Sequence, residues 1–87
     1  MIRDKEGKTC LHVAAEQGAL QACKFIIETV GSKIINERDN KKQTPLHLAT
    51  LNGHARTIKL LMDNGGKILF QLFYLLISIL IQFNLFS

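Results

Sequence analysis

The chain has little of what several protein classes depend on. It contains no tryptophan, one proline and two cysteines, Cys10 and Cys23, among 87 residues. Two cysteines do not make a disulfide framework, and we expect no secretory leader, so reduced thiols in the cytosol are predicted. The net charge of +4 comes without a dense basic run. A partner made of nucleic acid is therefore not expected.

Charge is also absent from one end of the chain. All 11 basic and 7 acidic residues lie between Arg3 and Lys67, and none lies between Ile68 and Ser87. The length leaves room for one small domain. The sequence therefore divides into a part of mixed charge and an apolar tail.

A six-residue motif is written twice in the charged part. T-C-L-H-V-A at 9–14 returns as T-P-L-H-L-A at 44–49, an offset of 35 residues. The acidic residue before each copy and the glycine after it keep the same offset: Asp4 and Asp39, Gly18 and Gly53. A period between 20 and 50 residues is typical of a solenoid of stacked repeats. Since solenoids present surfaces to partners, we expect binding rather than catalysis.

Each copy predicts a short helix followed by a second helix. Thr9 and Thr44 are suited to cap a helix start, and Pro45 suits the first helical position. Apolar residues then recur at helical spacing: Leu20, Cys23, Ile26 and Ile27, and again Ala55, Ile58, Leu61 and Met62. Between the copies, the polar run at 36–43 predicts a projecting turn.

A helical hairpin with a projecting turn, and T-P-L-H-x-A opening its first helix, resembles the ankyrin repeat. The resemblance covers about residues 4–65 and implies an all-α solenoid fragment of two repeats, about 4–36 and 39–66. An apolar helix is expected to follow at 67–87. The residues that match the repeat motif are Thr9, Leu11, His12, Ala14, Gly18, Thr44, Pro45, Leu46, His47, Ala49 and Gly53.

Two features depart from the ankyrin pattern. The usual period is about 33 residues, so the connector near 30–35 carries about two extra residues. The projecting turn has Gly7 in the first copy but Lys42 in the second. A left-handed backbone there costs a residue other than glycine about 1 kcal/mol.

The resemblance implies a non-catalytic module that recognises another protein, within a longer chain of neighbouring ankyrin repeats. By the same resemblance, His12 and His47 each bridge the threonine of their own turn and a neighbouring repeat. Partner contacts are expected on the turns and on the first helices. The candidates are Lys5, Glu6, Lys8, Glu16, Gln17, Asn40, Lys41, Lys42, Gln43, Leu51 and Asn52.

The connector suggests a narrower resemblance. F-I-I-E-T at 25–29 and I-I-N-E-R-D at 34–39 lead into the second motif. This order looks like part of the cytosolic ankyrin array of transient receptor potential ankyrin-type cation channels. The alternative function is therefore the cytosolic regulatory part of such a channel, although the chain has none of the six-helix channel core.

The sequence provides no chemistry for an enzyme or a cofactor. No Gly-rich phosphate loop, nucleophile–base pairing or paired-carboxylate arrangement is recognisable. Cys10 and His12 suggest a metal site at first sight, but zinc needs about four converging ligands. His12 recurs at the repeat period instead, so no metal site is predicted. Cys23 matches Ile58 in the second copy and is expected to be a small buried hydrophobe.

The tail at 67–87 leaves three alternatives open. Ile68 to Phe86 holds 15 apolar residues in 19, and a helix of about 20 residues crosses a bilayer. The first alternative is thus a membrane anchor with Lys67 on the cytosolic side. The second is a degenerate helix of a third repeat. The third is translated intron, because Gly66-Lys67 can be encoded by GGTAAG, which contains the start of a splice donor.

Overall fold

The computed structural model describes residues 1–67 and three isolated positions, 78, 81 and 82. Four α-helices lie in this part: α1 at Cys10–Glu16, α2 at Leu20–Val30, α3 at Pro45–Leu51 and α4 at Ala55–Asp63. A short 3₁₀ helix, Ser32–Ile34, lies between α2 and α3. No strand occurs in these described residues, which confirms the all-helical class for them.

Each short helix is capped by the threonine that precedes it. The Thr9 hydroxyl accepts a hydrogen bond from the His12 N–H at 3.4 Å. The Thr44 hydroxyl does the same for the His47 N–H at 3.3 Å, and Pro45 is the first residue of α3. Each hydroxyl satisfies a backbone donor that the first helical turn leaves without a partner. The local sequence therefore sets both helix starts.

A glycine ends each short helix in the left-handed conformation. Gly18 has a φ of 69° and Gly53 a φ of 70°. The next residue then bonds back into the helix, Ala19 N–H to Ala14 C=O at 2.9 Å and His54 N–H to Ala49 C=O at 3.0 Å. This geometry reverses the chain, so that the second helix of each hairpin runs back along the first.

The two hairpins stack, with α1 against α3 and α2 against α4. Small side chains such as Ala15 and Ala49 are fully buried between the short helices and allow the backbones to approach closely. The buried apolar residues form one continuous core: Leu11, Ala14, Ala15, Cys23, Ile27, Ile34, Ile35, Leu46, Ala49, Ile58 and Leu61. This core fixes the turns of both hairpins on one side of the molecule.

Four residues of the predicted apolar stripes are less buried than expected, among them Ile26, which is half-buried. Leu20 is half-buried, and Ala55, its equivalent in the second copy, is exposed. Both are the first residues of the outer helices, α2 and α4. Met62 is exposed, whereas its repeat equivalent Ile27 is buried. The second hairpin covers that side of the first, and in the described part no further hairpin covers Met62.

The connector folds into the core. Ile34 and Ile35 are buried, so the extra residues add an apolar pair beneath the outer helices. Asn36 then bonds to the end of the second hairpin. Its amide donates to Gly65 C=O at 3.0 Å, and its side-chain oxygen accepts from Lys67 N–H at 3.1 Å. The connector therefore ties the first hairpin to the last turn of the second.

Among the described residues, no helix is long and apolar enough to cross a membrane. The apolar helix predicted at 67–87, with its three alternatives, falls on residues outside those described, apart from Lys67 and the three isolated positions.

The second turn is strained at Lys42. Its φ is 62°, in the left-handed region that Gly7 occupies with φ 77° in the first turn. A side chain at this φ crowds the following carbonyl, which costs roughly 1 kcal/mol. Lys42 therefore occupies a position where glycine is the more stable choice.

Replacing Lys42 with glycine should raise the free energy of unfolding by about 0.5–1 kcal/mol, because the strain is relieved at some cost in chain entropy. Urea denaturation followed by circular dichroism measures this change. Lys41→Gly is the matched control, since it removes the same charge without relieving a positive φ. An equal or larger gain in stability from Lys41→Gly would show that charge, and not strain, is responsible.

Candidate functional site

Both projecting turns are built on an aspartate. The Asp4 carboxylate accepts from the backbone N–H of Glu6 and of Lys8, both at 2.9 Å. In the second turn Asp39 accepts from the N–H groups two and four residues later, at 2.9 and 2.8 Å. These bonds fix the turn backbone locally, as short polar side chains do in turns. The intervening side chains are thereby directed outwards.

His12 joins the two hairpins at the base of the turns. Its Nδ1 accepts from the Thr9 N–H at 3.1 Å and lies 2.9 Å from the Thr9 hydroxyl. Since a backbone N–H only donates, Nδ1 carries no proton and Nε2–H donates to Gln43 C=O at 2.8 Å. The imidazole is fully buried. It thus links its own turn to the turn of the next hairpin.

The tips of the turns are also bonded to each other. Asn40 donates its backbone N–H to Glu6 C=O at 2.9 Å and its side-chain amide to Lys5 C=O at 3.1 Å. A Cβ added to Gly7 would lie 2.9 Å from the Asn40 backbone nitrogen, so the contact needs glycine. The two turns therefore form one bonded surface.

A groove of about 410 Å³ runs between the turns and the exposed side of the short helices. Its lining residues come from both hairpins: Lys5, Glu6, Lys8, Glu16, Asp39, Asn40, Lys41, Gln43 and Leu51. All but Asp39 were predicted from the sequence as partner-binding candidates. Asp39 was not among those candidates, because its repetition indicated a part of the motif and not of a surface.

The three other candidates lie outside the groove lining. Gln17 and Asn52 are exposed at the ends of α1 and α3, and the Asn52 amide donates to Leu48 C=O at 2.9 Å. Lys42 is exposed at the second turn. The structure thus places these residues at the edge of the surface.

Charges within the groove are partly paired. Lys8 Nζ lies 2.9 Å from Glu6 and 3.1 Å from Glu16, and its side chain is 15% exposed. The hydrogen bonds that the Lys8 ammonium donates to the carboxylates of Glu6 and then Glu16 raise the pKa of Lys8. Lys8 therefore stays charged and holds the first turn against α1.

His54 makes a contact that sequence reasoning did not find. Its Nε2 lies 2.9 Å from Glu16 C=O, and a Cβ added to Gly18 would be 2.5 Å from its Nδ1. The imidazole therefore packs over the glycine that ends α1. The available signal was a break in the repeat, because the first copy has Ala19 at the equivalent position.

A second, apolar groove of about 620 Å³ lies on the side of the first hairpin that faces away from the second. Its apolar and sulfur-containing lining residues are Met1, Ile2, Cys10, Val13, Val30 and Ile34. Val13 is 37% exposed, whereas Leu48 at the same place in the second copy is 4% exposed. Comparison of the two copies in the sequence shows only that valine at position 13 takes the place of leucine at position 48.

The groups with reactive or ligand chemistry lie apart. Cys10 is exposed, while Cys23 is buried in the core, where burial raises the pKa of its thiol. Within residues 1–67 and the three isolated positions, no group of three or more His, Cys, Asp or Glu side chains is placed to hold a metal ion.

Burial lowers the pKa of both His12 and His47 below the ordinary value of 6.5. As pH falls below 6.5, the unfolded chain takes up protons before the folded chain does, so acid favours unfolding. The free energy of unfolding should therefore have its full value above pH 6.5 and should decrease as the pH falls below it. Urea midpoints from about pH 7.5 to about pH 5.5, above the range in which carboxyl groups titrate, measure this loss.

His12→Gln is the variant that separates this effect from other titrations. It should lower the free energy of unfolding at neutral pH by about 1–3 kcal/mol, because a buried bridge is broken. Its pH dependence over the same range should be flatter than that of the wild type. A wild-type midpoint that rises on acidification would contradict the assignment.

Comparison with known proteins agrees with this geometry. A family model described as ankyrin repeats (3 copies) matches residues 1–71. The human transient receptor potential cation channel subfamily A member 1 is 35% identical over 68 residues, which are 77% of this chain and 6% of the channel. Inversin of Danio rerio is 35% identical over 65 residues, 75% of this chain and 6% of inversin.

The chain thus spans about 6% of the length of these two relatives. The family match covers most of the chain, and it falls on the paired hairpins, threonine caps and bridging histidine described above. The resemblance inferred from the sequence is confirmed, and the chain belongs to the ankyrin repeat family.

Proposed function

We propose that this chain is a non-catalytic protein–protein interaction module that binds its partner in the groove between the turns and the short helices. Ankyrin repeats are a protein-interaction module, and the observation that carries the proposal is the groove of about 410 Å³. Its lining comes from both hairpins and is polar, as the rim of a non-obligate interface is.

Hydrogen bonds and an ion pair within the chain hold the turns around the groove in place. Asp4 and Asp39 fix the turn backbones, Asn40 joins the turns, and Lys8 joins the first turn to α1. A surface that is already ordered loses less conformational entropy on binding. Leu51, 46% exposed at the floor, offers the apolar contact.

We further propose that the module is part of a longer array of repeats. The apolar groove is lined by Val13, and Leu48, which takes its place in the second copy, is buried. A preceding repeat fits this groove, since each repeat buries its apolar side only against a neighbour. The array would lie in the cytosol, in keeping with the reduced thiols of Cys10 and Cys23.

An alternative is the cytosolic regulatory part of a transient receptor potential ankyrin-type cation channel. The observation that favours it is the 35% identity over 68 residues to the human channel. Sequencing the spliced transcript beyond the codon for Gly66 separates the two. Further repeats followed by six apolar spans would support the channel, and further repeats followed by a stop codon would support a soluble adaptor.

The same transcript decides the nature of the tail. A GT donor at Gly66-Lys67 that is spliced out would identify residues 67–87 as translated intron. A spliced message that retains these codons would leave a membrane anchor or a third repeat.

The groove proposal predicts that the full chain selects peptides with a shared sequence pattern from a displayed random library. Leu51→Glu should weaken binding of a selected peptide about tenfold or more, because an apolar contact is replaced by a charge. Phe25→Glu is the matched control, since Phe25 is 67% exposed on α2, away from the groove. Binding measured by fluorescence anisotropy tests both.

Two results would contradict the proposal. One is a library that yields no common pattern with the wild-type chain. The other is an equal loss of affinity in Leu51→Glu and Phe25→Glu, which would place the contact outside the groove.

A further inference from the structure

The cations of the turn surface differ in whether they are paired. Arg3 pairs with Glu37, and Lys8 pairs with Glu6 and Glu16. Within the described residues, the side chains of the three turn lysines make no ion pair: Lys5, Lys41 and Lys42. All three are exposed.

The acidic groups of the same surface are already occupied. Asp39 is buried, and its carboxylate accepts from two backbone N–H groups, as the exposed Asp4 carboxylate also does. Glu6 and Glu16 share the ammonium group of Lys8. The groups of the turn surface that remain available to a partner are therefore the positively charged lysines.

Backbone strain at Lys42 also supports a role for positive charge on this turn. The residue keeps a φ of 62° although glycine, as at Gly7, would fit this turn without strain. Residues held in such conformations cluster at functional sites. A lysine at this position places a second positive charge beside Lys41 at the rim of the groove.

We propose that the groove binds an extended acidic peptide segment of a partner protein. Its carboxylates meet Lys5, Lys41 and Lys42, and an apolar side chain of the segment lies against Leu51. This assignment rests on the proposed function of the groove and names the chemistry of the partner. Because the lysines are exposed, their contribution acts on specificity and association rate and depends on salt.

The test uses the full chain and a fluorescein-labelled synthetic peptide of about twelve residues, which reaches about 40 Å when extended. The peptide alternates glutamate with serine and carries one central leucine. The turn variant combines Lys41→Ser with Lys42→Gly, and the control combines Lys24→Ala with Lys59→Ala. Both variants lose two positive charges, but Lys24 and Lys59 are exposed on the outer helices.

The turn variant should raise the dissociation constant about five- to tenfold, and the control by no more than about twofold. The difference should shrink as salt is added. A urea midpoint for the turn variant at or above that of the wild type establishes that it is folded. Lys5→Ser, which leaves the second turn intact, should weaken binding about two- to threefold.

Three outcomes would overturn the acidic-peptide proposal: no binding, equal losses in the two double variants, or equal binding of a peptide with lysine in place of glutamate. Tighter binding of a single-stranded oligothymidylate, or of vesicles of phosphatidylserine in phosphatidylcholine, would also overturn it. Selected library peptides that need Leu51 but carry no acidic residues would refute the acidic-peptide proposal. They would still support the proposal that the groove is a protein-interaction site.

Discussion

The imidazole of His12 is the constraint on which the arrangement of the two hairpins depends. It accepts from Thr9 through one ring nitrogen and donates to Gln43 C=O through the other, entirely out of solvent. Removing either partner would leave a buried polar atom without a hydrogen bond, which costs more than the bond itself contributes. The neutral ring thus fixes the helix start, the turn and the position of the following turn at once. Neighbouring bonds from Asn40 and Arg3 then align the turn tips.

This rigidity supports the proposal that the turn surface binds a partner. The residues that build the turns bond to each other and to the turn backbone, so the backbone around the groove and the Lys8 side chain are held in place before binding. The acidic and basic groups of the turn surface have different roles. The acidic groups hold the turns and Lys8 in place, whereas the remaining turn lysines face solvent. The residues that hold the turns in place and those that face solvent are therefore different residues of the same short turns.

Local features of the fold could be predicted from the sequence because their causes are local. Thr9, Pro45 and Gly18 act on backbone groups within a few residues of themselves, so their spacing determines where helices start and end. The burial of Ile34 and the bonds of His54 to Glu16 could not be predicted in this way. The first lies in the connector, where the spacing departs from the usual repeat length, and the second joins two residues that are 38 apart in the chain. Groove residues were predictable only through the family resemblance, since exposed side chains carry no packing signal.

The connector and the turns lie at different places in the stack, and this separation has a consequence for repeat length. The bonds that set the register, His12 to Gln43 and Asn40 to the first turn, include no residue between Val30 and Ile35. Added residues are taken up by the 3₁₀ helix and by Ile34 and Ile35 in the core. A connector longer by about two residues therefore leaves the turn contacts in place, so repeats of unequal length can stack side by side.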